Sequence, residues 1–248
     1  MQRFQGKNTL ITGAASGIGK STAIRLANEG AKLILIDSNK SGLLKINKEL
    51  KDHTLESKTL DISDNQSIKD LFIDINKKYK KLDVLINVAG ILRFDHSENV
   101  ILNDWKHIID VNLTGTFFMC RYALPLLLKS KGSIVNVSST AAIGSHAWTA
   151  AYSASKGGIS AFSKTLAVEY GMKGLNVNCV CPASVETPMS TGSNLPKDID
   201  RRLLKKIMPL DGVNRSPDDI ASAIAFLASN DAIHINGIDL RVDGGLLS

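Results

Sequence analysis

The stretch Thr12-Gly13-Ala14-Ala15-Ser16-Gly17-Ile18-Gly19, TGAASGIG, decides the fold. It follows a short apolar run, NTLIT (8–12), and opens a helical pattern over 17–29 that Gly30 closes. A strand, a glycine-rich turn and a helix in that order form an anion site. The first helical turn presents unpaired N–H groups and the positive end of its dipole. Gly13 permits a tight turn, Gly17 lets backbone approach a pyrophosphate, and Gly19 permits close packing of helix on strand. An acid at the end of the next strand completes the pattern, and Asp37 closes LILID there. A carboxylate at that point accepts from both ribose hydroxyls of an adenosine and repels a 2′-phosphate. NAD(H) is therefore expected, with NADP(H) the lesser alternative because Lys20 and Lys40 are near in sequence.

Outward from the turn the chain alternates. Strands are read at 32–37, 54–60, 82–88, 132–138, 175–181 and 237–245. Helices are read at 41–50, from an Asp64 cap to Tyr79, at 102–129, at 152–170, and from Pro217 to Ala228 behind a Ser216 cap. Such alternation means βαβ units, hence a Rossmann-type, doubly wound α/β fold with a mostly parallel seven-stranded sheet flanked by helices. Continuous apolar runs such as Leu33–Ile36 suit strands buried on both faces. No linker, repeat or low-complexity tract interrupts residues 1–248, so they read as one dinucleotide-binding domain. The one long irregular stretch, about 183–214, holds three prolines and follows a strand's carboxyl end, where open α/β sheets bind ligands. It is the expected substrate loop.

Composition narrows the function classes. Hydrophobic content of 44% and charged content of 22% are ordinary globular values. No apolar run approaches the ~20 residues of a membrane span, and the N-terminus has no signal-peptide pattern. A soluble, cytoplasmic protein with no membrane partner is expected. The net charge is +6, but aromatics are only 5% and the lysines are scattered, with NKKYKK (76–81) at a helix end. A nucleic-acid partner is therefore not expected. Cys120, Cys179 and Cys181 form neither a disulfide framework nor a metal-ligand cluster, so no metal is expected.

The chemistry is written in Ala151–Gly158, AYSASKGG. Moving a hydride to or from a carbonyl carbon needs a matching proton. A tyrosine, with an ordinary pKa of ~10, is a poor base alone, and a nearby cation favours its phenolate. Tyr152 and Lys156, four apart in a helix, share a face. Gly157 and Gly158 each disfavour that helix by about 1 kcal/mol, which leads us to expect another backbone, of a neighbouring helix or subunit, packed closely on them. Asn112, in DVNLTG within the long helix, predicts a local bend.

Together, TGAASGIG, Asp37, Asp61, NVAG (87–90), Asn112, the VSS ending at Ser139, and YSASK resemble the classical short-chain dehydrogenase/reductase family over nearly the whole chain. The resemblance implies Tyr152 as general acid/base supported by Lys156. It implies Ser139 as the hydroxyl that orients the carbonyl, and Asn112 as holder of a water linking the lysine to solvent. Implied cofactor contacts are Gly13, Ser16, Gly17, Ile18 and Gly19 at the turn, Asp37 at the ribose, and Asp61 with Ile62 at the adenine. Asn87, Ala89, Gly90, Tyr152 and Lys156 follow around the second ribose, with Pro182, Val185 and Thr187 at the nicotinamide. Two departures stand out. Val88 replaces the family's usual second Asn. Ala183 replaces a glycine, which adds strain of order 1 kcal/mol if the turn needs a positive φ. The resemblance also implies a homotetramer packed through helices 102–129 and 152–170.

The expected function is NAD(H)-dependent interconversion of a secondary alcohol and a ketone. Alternatives are an NADPH-dependent 3-oxoacyl-ACP reductase, against which Asp37 speaks, and a non-catalytic nucleotide-binding regulator, against which the full Asn112/Ser139/Tyr152/Lys156 set speaks. A sugar-nucleotide epimerase or dehydratase uses a similar pair but generally adds a C-terminal substrate domain. Substrate contacts are expected from Ile91 to Phe94, Ala141 to His146, Trp148 and the 184–210 loop, with Arg93 or His146 as receivers of a carboxylate.

Overall fold

Strands β1 (Asn8–Thr12), β2 (Lys32–Asp37), β3 (Thr54–Thr59), β4 (Val84–Asn87), β5 (Ser133–Val137), β6 (Asn176–Pro182) and β7 (Asp239–Val242) pair in the order β3-β2-β1-β4-β5-β6-β7. Every pairing is parallel, so the expected mostly parallel sheet is wholly so. The computed structural model describes residues 2–144, 146–192 and 194–248. Ser145, in the expected pocket stretch Ala141 to His146, and Ser193, in the 183–214 loop, lie outside the described residues. Strand order reverses between β1 and β4, and the carboxyl ends of the strands part there to leave a crevice.

Helices α1 (Gly17–Asn28), α2 (Lys40–Glu49) and α8 (Pro217–Ala228) cover one face of the sheet; α3 (Asn65–Tyr79), α5 (Thr116–Ser130) and α6 (Ala150–Tyr170) cover the other. The period of two in a strand explains the apolar runs. Leu33 and Leu35 pack with Leu26 and Ile224 on the first face, while Ile34 and Ile36 pack with Ile68 and Leu71 on the second. Each such fully buried side chain contributes about 1.5–3 kcal/mol. Helix starts follow their caps. Asp64 accepts from the backbone N–H of Gln66 and Ser67, and Ser216 and Asp219 form a reciprocal capping box.

The expected helix 102–129 is three pieces. A helix α4 (Leu102–Ile109) runs into a π-helical turn (Asp110–Gly115) and then α5. The expected bend at Asn112 is this turn. Gly115 is required in it, because a Cβ there would lie 2.5 Å from the Ile62 carbonyl oxygen. By length and composition Leu102–Ser130 is apolar enough to cross a membrane. Half of its most apolar 18-residue window is buried, however, with Met119, Cys120, Ala123 and Leu127 packed on the sheet, as befits a core helix.

Other boundaries move by physical cause. Helix α6 starts at Ala150, two residues earlier than expected, which puts Tyr152 inside its first turn. Strand β7 is shorter than 237–245 because Gly244 and Gly245 take left-handed φ of 58° and 81° and turn the chain away. The 183–214 stretch is not wholly irregular. It contains the five-residue helix α7 (Pro188–Gly192) and a 3-10 turn, Arg201–Lys206, and Val185 bridges to Arg215 beyond it.

Within the chain the expected close backbone from a neighbouring helix is not there on either glycine of α6. A Cβ on Gly158 would meet the Leu113 side chain at 2.8 Å, whereas one on Gly157 would meet nothing within 4 Å in the chain. Gly158→Ala is therefore expected to lower stability by about 1 kcal/mol or more through overpacking, and Gly157→Ala to raise it by up to about 1 kcal/mol through helix propensity. Chemical denaturation of the two variants checks this, and equal effects would contradict it.

Candidate active site

The carboxyl ends of β1, β2, β4, β5 and β6 surround a cleft of about 590 Å³. At its nucleotide end Gly13 and Gly17 adopt φ of 69° and 49°, open only to glycine without strain. A Cβ on Gly13 would stand 2.9 Å from the Ala89 nitrogen, and one on Gly19 would fall on the Gly13 carbonyl oxygen. So the turn is held tight from two sides. Ser16 is the N-cap residue of α1, yet its side chain makes no capping bond, and it lines the cleft with Ile18. Its hydroxyl and the helix N-terminus both suit an anion.

Asp37 enters from β2. Its carboxylate accepts from the backbone N–H of Ala15 at 2.9 Å and of Asn39 at 2.8 Å. These bonds fix the acid against the glycine turn and leave lone pairs for hydroxyl donors. Lys20 is paired with Glu49 at 3.0 Å and does not line the cleft. Asp61, whose Oδ1 accepts from the Ser63 backbone and hydroxyl, lines the cleft beside Ile62. Ala89, Gly90, Pro182, Val185 and Thr187 line it too. Gly19, Asn87 and Asn112 do not. Gly19 packs behind the turn, and Asn87 is buried, donating to the Asn136 Oδ1 at 2.8 Å. An acceptor for the turn was missed: Thr12 Oγ1 receives the N–H of Val88 at 3.1 Å and of Ala89 at 3.2 Å. The signal was a hydroxyl at the last residue of β1, opposite Asn87 in register.

Tyr152, Lys156 and Ser139 converge at the middle of the cleft. Lys156 is buried, and its Nζ donates to the Val137 carbonyl at 2.7 Å while standing 5.6 Å from the centre of the Tyr152 ring. Burial pushes this ammonium down to about 8. Burial also pushes the Tyr152 phenol up, and a hydrogen bond with Ser139 works against it. The direction for the phenol is thus set by burial rather than by the ammonium, contrary to the expected lowering. The two adjacent serines divide. Ser138 Oγ bonds the Lys156 carbonyl at 2.9 Å and pairs with Ser160 at 3.0 Å, so it ties α6 to β5. Ser139 faces the phenol and accepts from the Ala141 N–H at 3.1 Å.

Asn112, brought in by the π-helical turn, clamps the segment after β4. Its Oδ1 accepts from the Ile91 N–H at 2.8 Å, and its Nδ2 donates to the Ile91 carbonyl at 2.9 Å and to Ser155 Oγ at 3.0 Å. Both departures from the family pattern are tolerated locally. Ala183 is not among the residues with positive φ, so the expected strain is not there. Val88 packs against the core instead of offering an amide.

The substrate end is apolar, with Ile91, Leu92, Phe94, Leu195, Leu204 and Met208 facing it. Arg93 does not line it. Its guanidinium is paired with Asp95 at 2.7 Å and Asp104 at 2.8 Å, which removes it as a carboxylate receiver. His146 does line it, with Nε2 3.1 Å from Thr140 Oγ1, but burial pushes its pKa down and keeps the imidazole neutral. Trp148 is buried, with φ of 64°, and lines a neighbouring recess rather than the cleft. Among the described residues no cluster of His, Cys, Asp or Glu suits a metal, and all three thiols are free and buried.

A dinucleotide cradle opening onto a phenol, a hydroxyl and an ammonium defines a nucleotide-dependent oxidoreductase. Residues 13–247 match a family model described as enoyl-(acyl carrier protein) reductase. The chain is 35% identical to the meso-2,3-butanediol dehydrogenase of Serratia marcescens, spanning 98% of this chain and 95% of that one. It is 38% identical to the 3-oxoacyl-[acyl-carrier-protein] reductase FabG of Thermotoga maritima, spanning 99% of each. The solved 3-ketoacyl-(acyl-carrier-protein) reductase of Brucella melitensis, complexed with NADH, superposes with a TM-score of 0.88 at 33% identity, covering 98% of each chain. The chain belongs to the classical short-chain dehydrogenase/reductase family and is an oxidoreductase acting on CH–OH groups.

The division between the serines is testable. Ser139→Ala is expected to lower kcat by about 10²–10³, as for other oxyanion donors. Ser138→Ala is expected to keep kcat within a few-fold and instead lose about 1–3 kcal/mol of stability by orphaning buried partners. Turnover and denaturation of both variants decide it; the reverse assignment would show the opposite pattern.

Proposed function

We propose that the protein uses NAD(H) to interconvert a secondary alcohol and a ketone, with Tyr152 as general acid/base. The observation that carries this is the convergence of Tyr152, Ser139 and Lys156 in the same cleft as the glycine turn and Asp37. The residues fit a dinucleotide. A Cβ would fill the cradle at Gly13, Ser16 has an uncommitted hydroxyl at a helix N-terminus, and Asp37 is an oriented acceptor at the end of β2. The turn from Gly13 to Gly19 would hold the pyrophosphate, Asp37 the adenosine ribose, Asp61 and Ile62 the adenine, and Val185 and Thr187 the nicotinamide. When bound, the nicotinamide supplies or accepts the hydride.

The chain's own groups handle the proton. Tyr152 donates its phenolic proton to the developing alkoxide in reduction and removes the hydroxyl proton in oxidation. Ser139 donates a hydrogen bond to the same oxygen and so favours the charge that develops on it. Lys156 faces the ring and offsets the phenolate charge. With its pKa drawn to about 8, it exchanges protons near neutral pH. Asn112 holds Ile91, and with it the wall at Gly90, at the distance this geometry needs. Reduction of a 3-oxoacyl thioester on a carrier protein is the second reading, favoured by the extent of identity to the Thermotoga reductase. Asp37 does not by itself exclude it, since the Brucella reductase was solved with NADH.

The oligomer is proposed to be a homotetramer, in keeping with exposed apolar side chains on the outer faces of α5 and α6, Phe117 and Val168. A single sedimenting monomer would count against it. A cytoplasmic location is proposed on the three buried free thiols, which suit a reducing compartment.

Steady-state kinetics test the core of this reading. kcat/KM is expected to be higher with NADH than with NADPH, and Asp37→Ala to narrow that ratio by tenfold or so, about 1.4 kcal/mol. Tyr152→Phe is expected to lower kcat by about 10²–10⁴ with NADH affinity nearly unchanged. A preference for NADPH would overturn the cofactor assignment, and wild-type turnover by Tyr152→Phe the catalytic one.

A further inference from the structure

A second recess, of about 390 Å³, abuts the substrate end of the cleft. The two share His146 and Thr149, whose side chains form the partition between them. The 3-10 turn Arg201–Lys206 serves both. Leu204 faces the cleft, while Leu203 and Lys206 face the recess.

Chemistry changes across the partition. The cleft side is aliphatic and aromatic, from Ile91 to Met208. The recess side adds the hydroxyls of Ser97 and Ser153 and the ammonium of Lys206, and no acidic side chain lines it. Of the cations on this turn, only Lys206 lines the recess among the described residues. Arg202, on the same turn, is held by Asp200 at 2.6 Å, and Arg93 is held by two carboxylates. Lys206 takes part in none of the ion pairs among the described residues. Among the described residues it is therefore the unpaired cation that lines the recess, as Lys156 is the one that lines the cleft.

We propose that the recess is a subsite for the far end of an elongated substrate, whose apolar body fills the cleft and whose carboxylate passes His146 and Thr149 to pair with Lys206. This rests on reading the cleft as an alcohol/ketone site and adds its substrate class: oxo or hydroxy acids with the carboxylate remote from the reacting carbon. His146 Nε2 is engaged with Thr140 Oγ1 at the partition, while Lys206 offers a full positive charge beyond it. An apolar body matches the side chains from Ile91 to Met208, where a charged one would lose its water without compensation.

The test uses the full chain and a series of oxo carboxylic acids of increasing length, each paired with its methyl ester, beside a short neutral ketone. Acids are expected to exceed their esters in kcat/KM, with an optimum at one intermediate length. Lys206→Gln is expected to lower kcat/KM for that acid about tenfold or more, the scale of one charge-assisted hydrogen bond, and to leave its ester unchanged. Leu203→Trp, which fills the recess, is expected to penalise the optimal acid and spare the short ketone. Equal use of acid and ester at every length, or an acid preference that survives Lys206→Gln, would overturn the subsite while turnover of the short ketone upholds the underlying reading. No turnover of any ketone with either nicotinamide would overturn both.

Discussion

A single buried ammonium constrains the active site. Lys156 is almost wholly removed from water, and desolvation of a charge is costly unless partners replace the hydration. The Val137 carbonyl at the end of β5 supplies one partner, and the Tyr152 ring another contact. Keeping that carbonyl in reach requires α6 to sit close on β5, which the Ser138 bonds to the Lys156 carbonyl and to Ser160 enforce. The same proximity places Ser139, next in the chain, against the phenol. One electrostatic demand thus fixes the mutual position of a strand end, a helix start and three side chains that line the cleft.

Behind this lies a row of buried polar groups. Asn87 donates to Asn136, Asn136 donates to Ser163, and Ser163 donates back to the Ile159 carbonyl of α6. Each bond is worth about 1 kcal/mol net, but a missing partner would cost more. The row acts mainly as registration: α6 meets these hydrogen bonds in one position along the sheet and loses several if it slides. Apolar packing alone, from Ile159 and Leu166, would tolerate such sliding more readily.

Much of this was legible in the sequence, and for physical reasons. The period of two in Leu33–Ile36 and the spacing of Gly13, Gly17 and Gly19 reflect local geometry that the tertiary structure uses unchanged. Tyr152 and Lys156 share a helical face, so their meeting in the cleft follows from the helix alone. What could not be read depends on groups distant in sequence. Arg93 and His146 look like receivers of a carboxylate until Asp104 and burial are taken into account. Gly157 and Gly158 look alike until Leu113 is seen beside only the second. The phenol's pKa direction depends on how the surrounding fold covers it, a property no local motif encodes.

The π-helical turn at Asp110–Gly115 has a consequence for how this chain can change in length. A regular helix advances ~100° per residue, and a π turn holds one residue more than the regular spiral would. Removing that residue would close the turn and leave a straight, better-bonded helix. It would also swing α4 about its axis by nearly a third of a circle relative to α5. With Met119 and Cys120 anchored on the sheet, the displaced part would be Asn112 and its grip on Ile91. Length in this segment therefore acts as an angular setting, and losing one residue would disturb the site even with Asn112 and Gly115 both retained.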